Sequence, residues 1–247
     1  MKKDVAKILV TGFAGLGAVA AYELWLKPKM FFWGATPEEH SRAYPGDELT
    51  PDTLGICTRA ITIIAPPERV WPWIMQVGQD RAGFYSYSWL ENLFGAEMRN
   101  TYRLVPEWQH REVGDDLWLA APTHYGGQAR LTIARLEPCR AMVLVPHTDG
   151  ELAIDQEYAP HGSWNFILEP APNADPTKPA AATRLIMRSI MPEHVTGPER
   201  LSRIFFDPAH FVMERRMMLT IKRLAEAEEL RWPEMEEIEL PLPETVV

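Results

Sequence analysis

A long amphipathic segment near the C-terminus constrains the fold of this chain more than any other feature. The stretch from Asp207 to Glu229 carries apolar residues at helical spacing, stepping about 100° per residue. Its apolar face comprises Met213, Met217, Met218, Ile221, Leu224 and Ala225. Asp207 is expected to cap the helix, with Pro208 at the first helical position. The pattern predicts a helix that lies across another apolar surface.

Two polar residues, His210 and Glu214, fall inside this apolar face. They are four residues apart and can contact each other on a helix. Burying an unpaired carboxylate costs on the order of several kcal/mol, so a cation is expected nearby. Arg188 alternates with Ile186 and Ile190 in a predicted strand and is the expected partner of Glu214. Three interpretations stay open: a ligand-orienting or acid–base pair, a satisfied buried cluster, or a histidine that faces solvent.

Short strands separated by turn-rich segments precede the helix. They are predicted at Thr101–Val105, Asp116–Ala120, Gln128–Leu136, Ala141–Pro146, Ser163–Glu169 and Thr183–Ile190. An earlier strand in "CTRAITIIAPP" is followed by two short helices, "PERVWPWIMQVG" and "YSWLENLFG". In the second helix Ser88 and Glu91 have the spacing of a capping box, and Gly95 is expected to end it.

This order of elements predicts an α+β fold. We expect a curved antiparallel sheet around the long C-terminal helix, with two short helices and a hydrophobic cavity between sheet and helix. The main domain is expected to span residues 30–229. An acidic, proline-rich tail at residues 230–247 is interpreted as extended and solvated.

Composition narrows the class of function. The net charge of −9 argues against nucleic acid as a partner. The two cysteines and the scattered histidines lack metal-ligand spacing, and no nucleotide-binding motif is present, so neither a metal nor a cofactor is expected. Nine Trp and eleven Met suit either an interior that holds an apolar ligand or simply a core of large residues.

The N-terminal residues 1–29 form a separate apolar segment. The run from Ile8 to Leu26 is interrupted only by Glu23 and nearly spans a bilayer core of roughly 30 Å. The leading interpretation is a single-pass membrane anchor, with the side of the membrane undetermined. A cleavable signal peptide and a soluble helix packed on the domain are the alternatives.

Six segments carry a resemblance to a known family. They are "TRAITIIAPPERVWPWIMQVG", "RAGFYSYSWLENLFG", "LTIARLEPCRAMVLV", "SWNFILEP", "TRLIMRS" and "FVMERRMMLTIKRLAE". They resemble the START-like (SRPBCC, helix-grip) superfamily, and most closely a bacterial polyketide cyclase/dehydrase-like branch with an apolar N-terminal segment before "WGAT" at Trp33–Thr36. The resemblance covers the chain from Trp33 to Glu229. It implies a deep hydrophobic cavity for lipids, sterols or polyketides, but no universal catalytic residue.

A set of residues is expected to line or flank this cavity. They are Arg81, Tyr85, Tyr87, Trp118, Trp164, Arg188, His210, Glu214, Met217, Met218 and Ile221. The leading predicted function is binding, and by extension transfer, of a hydrophobic small molecule or lipid. The alternative is a cyclase, dehydratase or hydrolase, with Glu214 or His210 as acid or base and Arg188 or Tyr85 stabilising charge. A scaffold whose cavity is filled by side chains is a third possibility.

Overall fold

The structure of the protein is a computed structural model that describes residue 17 and residues 19–49, 53–147, 162–171, 182–192 and 197–227. The predicted acidic tail and most of the apolar run at the N-terminus lie outside these residues. The strands are β1 (Thr53–Ile63), β2 (Asp116–Trp118), β3 (Arg130–Glu137), β4 (Ala141–Pro146), β5 (Ser163–Pro170) and β6 (Thr183–Pro192). The helices are α1 (Lys27–Phe31), α2 (Pro37–Ser41), α3 (Pro67–Met75), α4 (Ser88–Leu93) and α5 (Gly197–Glu226).

The six strands form one antiparallel sheet in the order β1-β6-β5-β4-β3-β2. The α+β class, the long C-terminal helix and the two short helices α3 and α4 are therefore as the sequence predicted. Side chains opposite each other in the register share a face, so the sheet has cross-strand rows. One such row joins Arg59, Met187 and Phe166 on the inner face, which is the face toward α5.

The core lies between this inner face and α5. Ile63 and Leu185 from the sheet are buried with Met218 and Ile221 of α5, and Trp73 of α3 packs into the same cluster. The apolar face predicted for the C-terminal helix is thus the face that packs on the sheet. Since each of these side chains is nearly inaccessible to solvent, each burial contributes about 1.5–3 kcal/mol before entropy is counted.

The predicted strand at Thr101–Val105 is wrong. This segment is irregular, because its backbone groups bind a side chain and a loop instead of a neighbouring strand. The amide of Gln76 donates to the carbonyl of Arg103 at 2.9 Å, and the Val105 N–H donates to the Gln76 side-chain oxygen at 3.2 Å. The Thr101 N–H donates to the Ala82 carbonyl at 3.0 Å.

Two helix starts also differ from prediction. Helix α5 begins at Gly197, so Asp207 does not cap it and Pro208 lies inside it. The Asp207 carboxylate instead accepts a hydrogen bond of 2.9 Å from the hydroxyl of Tyr22. Helix α4 has Tyr87 at its N-cap without a side-chain cap, so the capping box predicted from Ser88 is wrong as well.

The outer face of the sheet is covered by residues 33–49. Tyr44 packs against Ile167 and Ile186, while Arg184 of β6 donates two hydrogen bonds to the carboxylate of Glu39 at 2.7 and 2.8 Å. Gly34 is required here, because it has a φ of 73° and a Cβ would collide with a β1 carbonyl. The sheet is therefore buried on both faces.

The described part of the N-terminal segment packs on the domain. A π-helical turn at Tyr22–Leu26 leads into α1, and Tyr22, Met30 and Phe31 form a buried cluster with Cys57 of β1. Helix α1 runs across the domain boundary predicted at residue 29. Among the described residues, no helix combines the length and the hydropathy needed to cross a bilayer.

Candidate functional site

A cavity of about 480 Å³ lies between the inner face of the sheet and the middle of α5. Most of the surface that its wall presents is apolar. The apolar lining residues are Phe31, Cys57, Phe84, Leu119, Leu131, Trp164, Phe206, Met213 and Met217. The polar lining residues are Arg59, Ser86, Glu91, Ser163, Ser189, Arg203, Asp207, His210 and Glu214. One cross-strand row, formed by Cys57, Ser189 and Trp164, contributes to this wall from three adjacent strands.

An ion pair between Arg59 and Glu214 is the electrostatic centre of the cavity. The Arg59 guanidinium donates a hydrogen bond to the Glu214 carboxylate, and their side chains are only 1% and 2% exposed. The Trp164 indole N–H donates to the other Glu214 oxygen at 2.7 Å. Arg59 also donates through Nε to the Met30 carbonyl at 2.8 Å. One carboxylate and one guanidinium thus connect four elements of the fold, namely β1, β5, α5 and α1.

These contacts set the charge of Glu214. Burial alone would raise its pKa, but the nearby charge of Arg59 and the hydrogen bonds from Trp164 and Arg59 hold the pKa of Glu214 below its ordinary value. Glu214 is therefore an ionised, fully satisfied carboxylate at neutral pH. The prediction that Glu214 lies buried in the apolar face of the helix is confirmed.

His210 lies one turn before Glu214 and also lines the cavity. Its Nδ1 is 3.4 Å from the Arg59 guanidinium, and its ring stacks on Phe206 with centroids 5.8 Å apart. Burial and then the Arg59 charge lower the pKa of His210, although Glu214 opposes the shift. Because arginine can only donate, Nδ1 is the acceptor and neutral His210 carries its proton on Nε2.

The predicted pairing of Arg188 with Glu214 is wrong. Arg188 sits opposite Thr58 in the register and points to the outer face. There it donates two hydrogen bonds to the Asp47 carboxylate, at 3.0 and 2.6 Å, and one to the His40 carbonyl at 3.0 Å. The alternation in β6 was predicted correctly, but the face was not, since residues 33–49 provide a half-buried acidic partner on the outer side.

The remaining predicted residues on α5 and β5 fall into two groups. Trp164 and Met217 line the cavity, as expected. Met218 and Ile221 do not line it, because they lie further along α5 where the helix packs directly on the sheet. They are core residues with no accessible surface.

Three predicted residues that precede α4 in the chain lie outside the cavity. Arg81 donates to the carbonyls of Trp108 and His110, at 2.6 and 3.0 Å, and so fixes a loop. Tyr85 is fully buried and accepts a hydrogen bond of 2.8 Å from Gln76, and burial raises its pKa. Tyr87 is partly exposed beneath the Arg216 guanidinium.

Trp118 also lies outside the cavity. Strand β2 buries Leu117 on the inner face, so Trp118 points the other way. Its ring stacks with the guanidinium of Arg130 at 5.1 Å. The size of Trp118 and its position in a strand predicted that it would form part of the cavity wall. The alternation of β2 instead points its side chain away from the inner face.

Sequence reasoning missed several polar residues of the site, above all Arg59. A signal was present, because Arg59 alternates in β1 with Cys57, Ile61 and Ile63, and a charge in an apolar strand face requires a partner. Glu91 was interpreted only as a helix-capping residue. It lies instead in the cavity wall, and burial raises its pKa to about 7.

Comparison with known proteins gives likenesses of fold only. No family model and no curated protein matches the chain. Solved structures that match include a protein of Mesorhizobium loti, with 15% identity, 70% of this chain and 99% of that chain covered, and a TM-score of 0.33. They also include the Aha1 dimer of Colwellia psychrerythraea, with 13% identity, coverages of 71% and 99%, and a TM-score of 0.36. A polyketide-cyclase-like protein of Corynebacterium glutamicum matches with 17% identity, coverages of 72% and 88%, and a TM-score of 0.29.

Because these identities and TM-scores are low, the candidate function rests on the cavity of this chain. Among the described residues, no group of three or more His, Cys, Asp or Glu side chains is arranged to hold a metal ion. What the cavity offers chemically is an apolar volume, the neutralised Arg59–Glu214 pair and a neutral imidazole, together with the carboxyl groups of Glu91 and Asp207 and the guanidinium of Arg203.

Proposed function

We propose that this protein binds a hydrophobic small molecule, such as a lipid or a polyketide, as a member of the helix-grip superfamily. The observation that carries the proposal is the cavity of about 480 Å³ beneath α5. This volume falls in the range of roughly 300–1,000 Å³ that is typical of small-molecule sites. The single antiparallel sheet and the long C-terminal helix support the superfamily assignment.

The character of the wall supports an apolar ligand. Aromatic and sulfur-containing side chains, including Phe84, Trp164 and Met217, provide a contact surface that adapts to irregular shapes. A few polar groups then fix orientation, as in most ligand sites. The Arg59–Glu214 pair is neutral overall, so it does not demand a charged ligand.

The charge state of Glu214 argues against the enzymatic alternative in which this residue is the acid or base. An acid–base catalyst must change its protonation state near the working pH, whereas Glu214 is held ionised by Arg59 and by Trp164. Arg188, the residue expected to stabilise charge, does not reach the cavity. Binding, with transfer as its extension, therefore fits the geometry better than turnover by Glu214.

A location at the membrane is a separate proposal. It rests only on the apolar run from Ile8 to Leu26, of which the structure describes the second part. Membrane flotation of the full chain tests it. Recovery with the vesicle fraction after a high-salt wash would support an anchor, and recovery in the soluble fraction would contradict one.

Mass spectrometry of the purified full chain tests the binding function. Spectra recorded under native and denaturing conditions should differ by a defined apolar molecule that is released on unfolding. An empty protein that also takes up neither a lipid panel nor a fluorescent hydrophobic probe would contradict the proposal.

A further inference from the structure

Glu91 differs from the other acidic residues of the cavity wall in its hydrogen bonding. Its side chain belongs to α4, the residue is only 5% exposed, and it lines the cavity. Both of its carboxyl oxygens are buried, and neither has a hydrogen-bond partner among the described residues. A buried carboxyl group without a partner carries a desolvation cost that a structure does not ordinarily leave uncompensated.

The other acidic groups in the wall are compensated. Glu214 is paired with Arg59 and accepts from Trp164, and Asp207 accepts from Tyr22. Within the described part of the chain, Glu91 is therefore the acidic group of the cavity that no side chain satisfies. This difference separates Glu91 from the Arg59–Glu214 ion pair.

We infer that Glu91 is the ligand-recognition group of this cavity and that the ligand is an apolar molecule carrying a protonated amine. This inference rests on the proposed binding function and specifies its ligand class. The apolar part of the molecule would occupy the space beneath α5. The amine would meet the carboxylate that α4 contributes.

An amine fits Glu91 better than other polar groups for physical reasons. A protonated amine supplies both a positive charge and several N–H donors, so it compensates a carboxylate in charge and in hydrogen bonding. A hydroxyl supplies one donor and no charge. A carboxylate would place a second negative charge directly beside that of Glu91.

The environment of Glu91 is consistent with this role. Burial raises its pKa to about 7, so the empty site leaves the group partly protonated near neutral pH. A cation bound beside it would favour the ionised form. The other titratable or charged groups lining the cavity are Cys57, Arg59, Arg203, Asp207, His210 and Glu214.

Calorimetry with a matched set of probes tests the inference. Decylamine, decanol and decanoate share one alkyl chain and differ only in the polar group. Each is titrated into the full chain, into Glu91→Gln and into the control Glu107→Gln, whose residue is exposed in a 3-10 turn and does not line the cavity. Gln keeps the size of Glu and removes the charge.

The native protein should bind decylamine at least about tenfold more tightly than decanol, and decanoate most weakly. Glu91→Gln should abolish this preference while keeping the affinity for decanol, and Glu107→Gln should leave all three affinities unchanged. Equal binding of amine and alcohol, or a preference that survives in Glu91→Gln, would overturn the inference while leaving the binding function intact. Failure of all three probes to bind, together with an empty protein by mass spectrometry, would overturn the binding function itself.

Discussion

Arg59 on β1 and Glu214 on α5 form an ion pair in which both side chains are almost completely buried. The pair is 155 residues apart in sequence and joins the first strand to the last helix. Trp164 from β5 and the carbonyl of Met30 complete the hydrogen bonding of the two charges. The pair therefore fixes the middle of α5 over the sheet, beside the cavity that lies between them.

Removing one member of this pair should lower the stability of the protein. Arg59→Met leaves the Glu214 carboxylate buried without its cation, and we expect the free energy of unfolding to fall by about 3–5 kcal/mol. The double variant Arg59→Met/Glu214→Leu removes both charges and should recover most of that loss. Urea unfolding followed by tryptophan fluorescence measures both changes.

The surface pair of Arg135 and Glu48 provides the control for this experiment. Its side chains are 42% and 49% exposed. Arg135→Met should therefore change the free energy of unfolding by less than about 1 kcal/mol. A double variant as unstable as Arg59→Met alone would show that packing of Arg59, rather than the unpaired charge, dominates.

Glu91 should make stability depend on pH. Its pKa is raised by burial from 4.5 to about 7, so the folded state keeps a proton that the unfolded state releases. The resulting stability is fully present below about pH 4.5 and is lost as the pH rises towards 7, by roughly 3 kcal/mol. Glu91→Gln should flatten this part of the profile and be more stable than the native protein at about pH 8. Thermal or urea unfolding across this pH range measures the effect, and parallel profiles for the two proteins would contradict it.

Tyr22 should hold the described N-terminal segment on the domain. Its hydroxyl donates to the buried carboxylate of Asp207 at 2.9 Å, and burial together with that carboxylate raises the pKa of Tyr22. Tyr22→Phe removes one hydrogen bond to a charged group, so the free energy of unfolding should fall by about 1.5–3 kcal/mol.

The half-exposed Tyr102 is the matched control for this substitution. Tyr102→Phe should change stability by less than about 0.5 kcal/mol. Equal effects of the two substitutions, measured by chemical unfolding, would mean that the Tyr22 contact does not stabilise the fold.

Ser189 should test whether the cavity is the binding site. It lies between Cys57 and Trp164 in a cross-strand row of the wall, so Ser189→Phe would fill part of the volume. We expect the affinity for a fluorescent hydrophobic probe to fall by about tenfold or more, with circular dichroism unchanged. Ser41→Phe, at an exposed position of α2, should not alter the affinity. Undiminished binding in Ser189→Phe would place the probe elsewhere.

Much of the fold could be predicted from the periodicity of apolar residues in the sequence. The bounds of β4 were predicted as observed, and the apolar face of α5 was assigned to the correct residues. These predictions succeed because helical and strand periods leave local marks in the sequence. The start of α5 could not be predicted, because an aspartate suits a helix N-cap as well as a buried acceptor position. The hydrogen bond from Tyr22 shows that Asp207 is the acceptor.

The candidate site shows the same division. The sequence by itself determined that a histidine and a glutamate fall inside the apolar face of one helix, and that a carboxylate buried there needs a cation. Only the tertiary structure decided that the cation is Arg59 and not Arg188, and that Glu91 lines the same cavity with no hydrogen-bond partner among the described residues. The physical reason is that strand alternation separates two faces but does not say which is which when both are buried. That choice is made by residues 33–49 on one side and α5 on the other, which are distant in sequence from the strands that they cover.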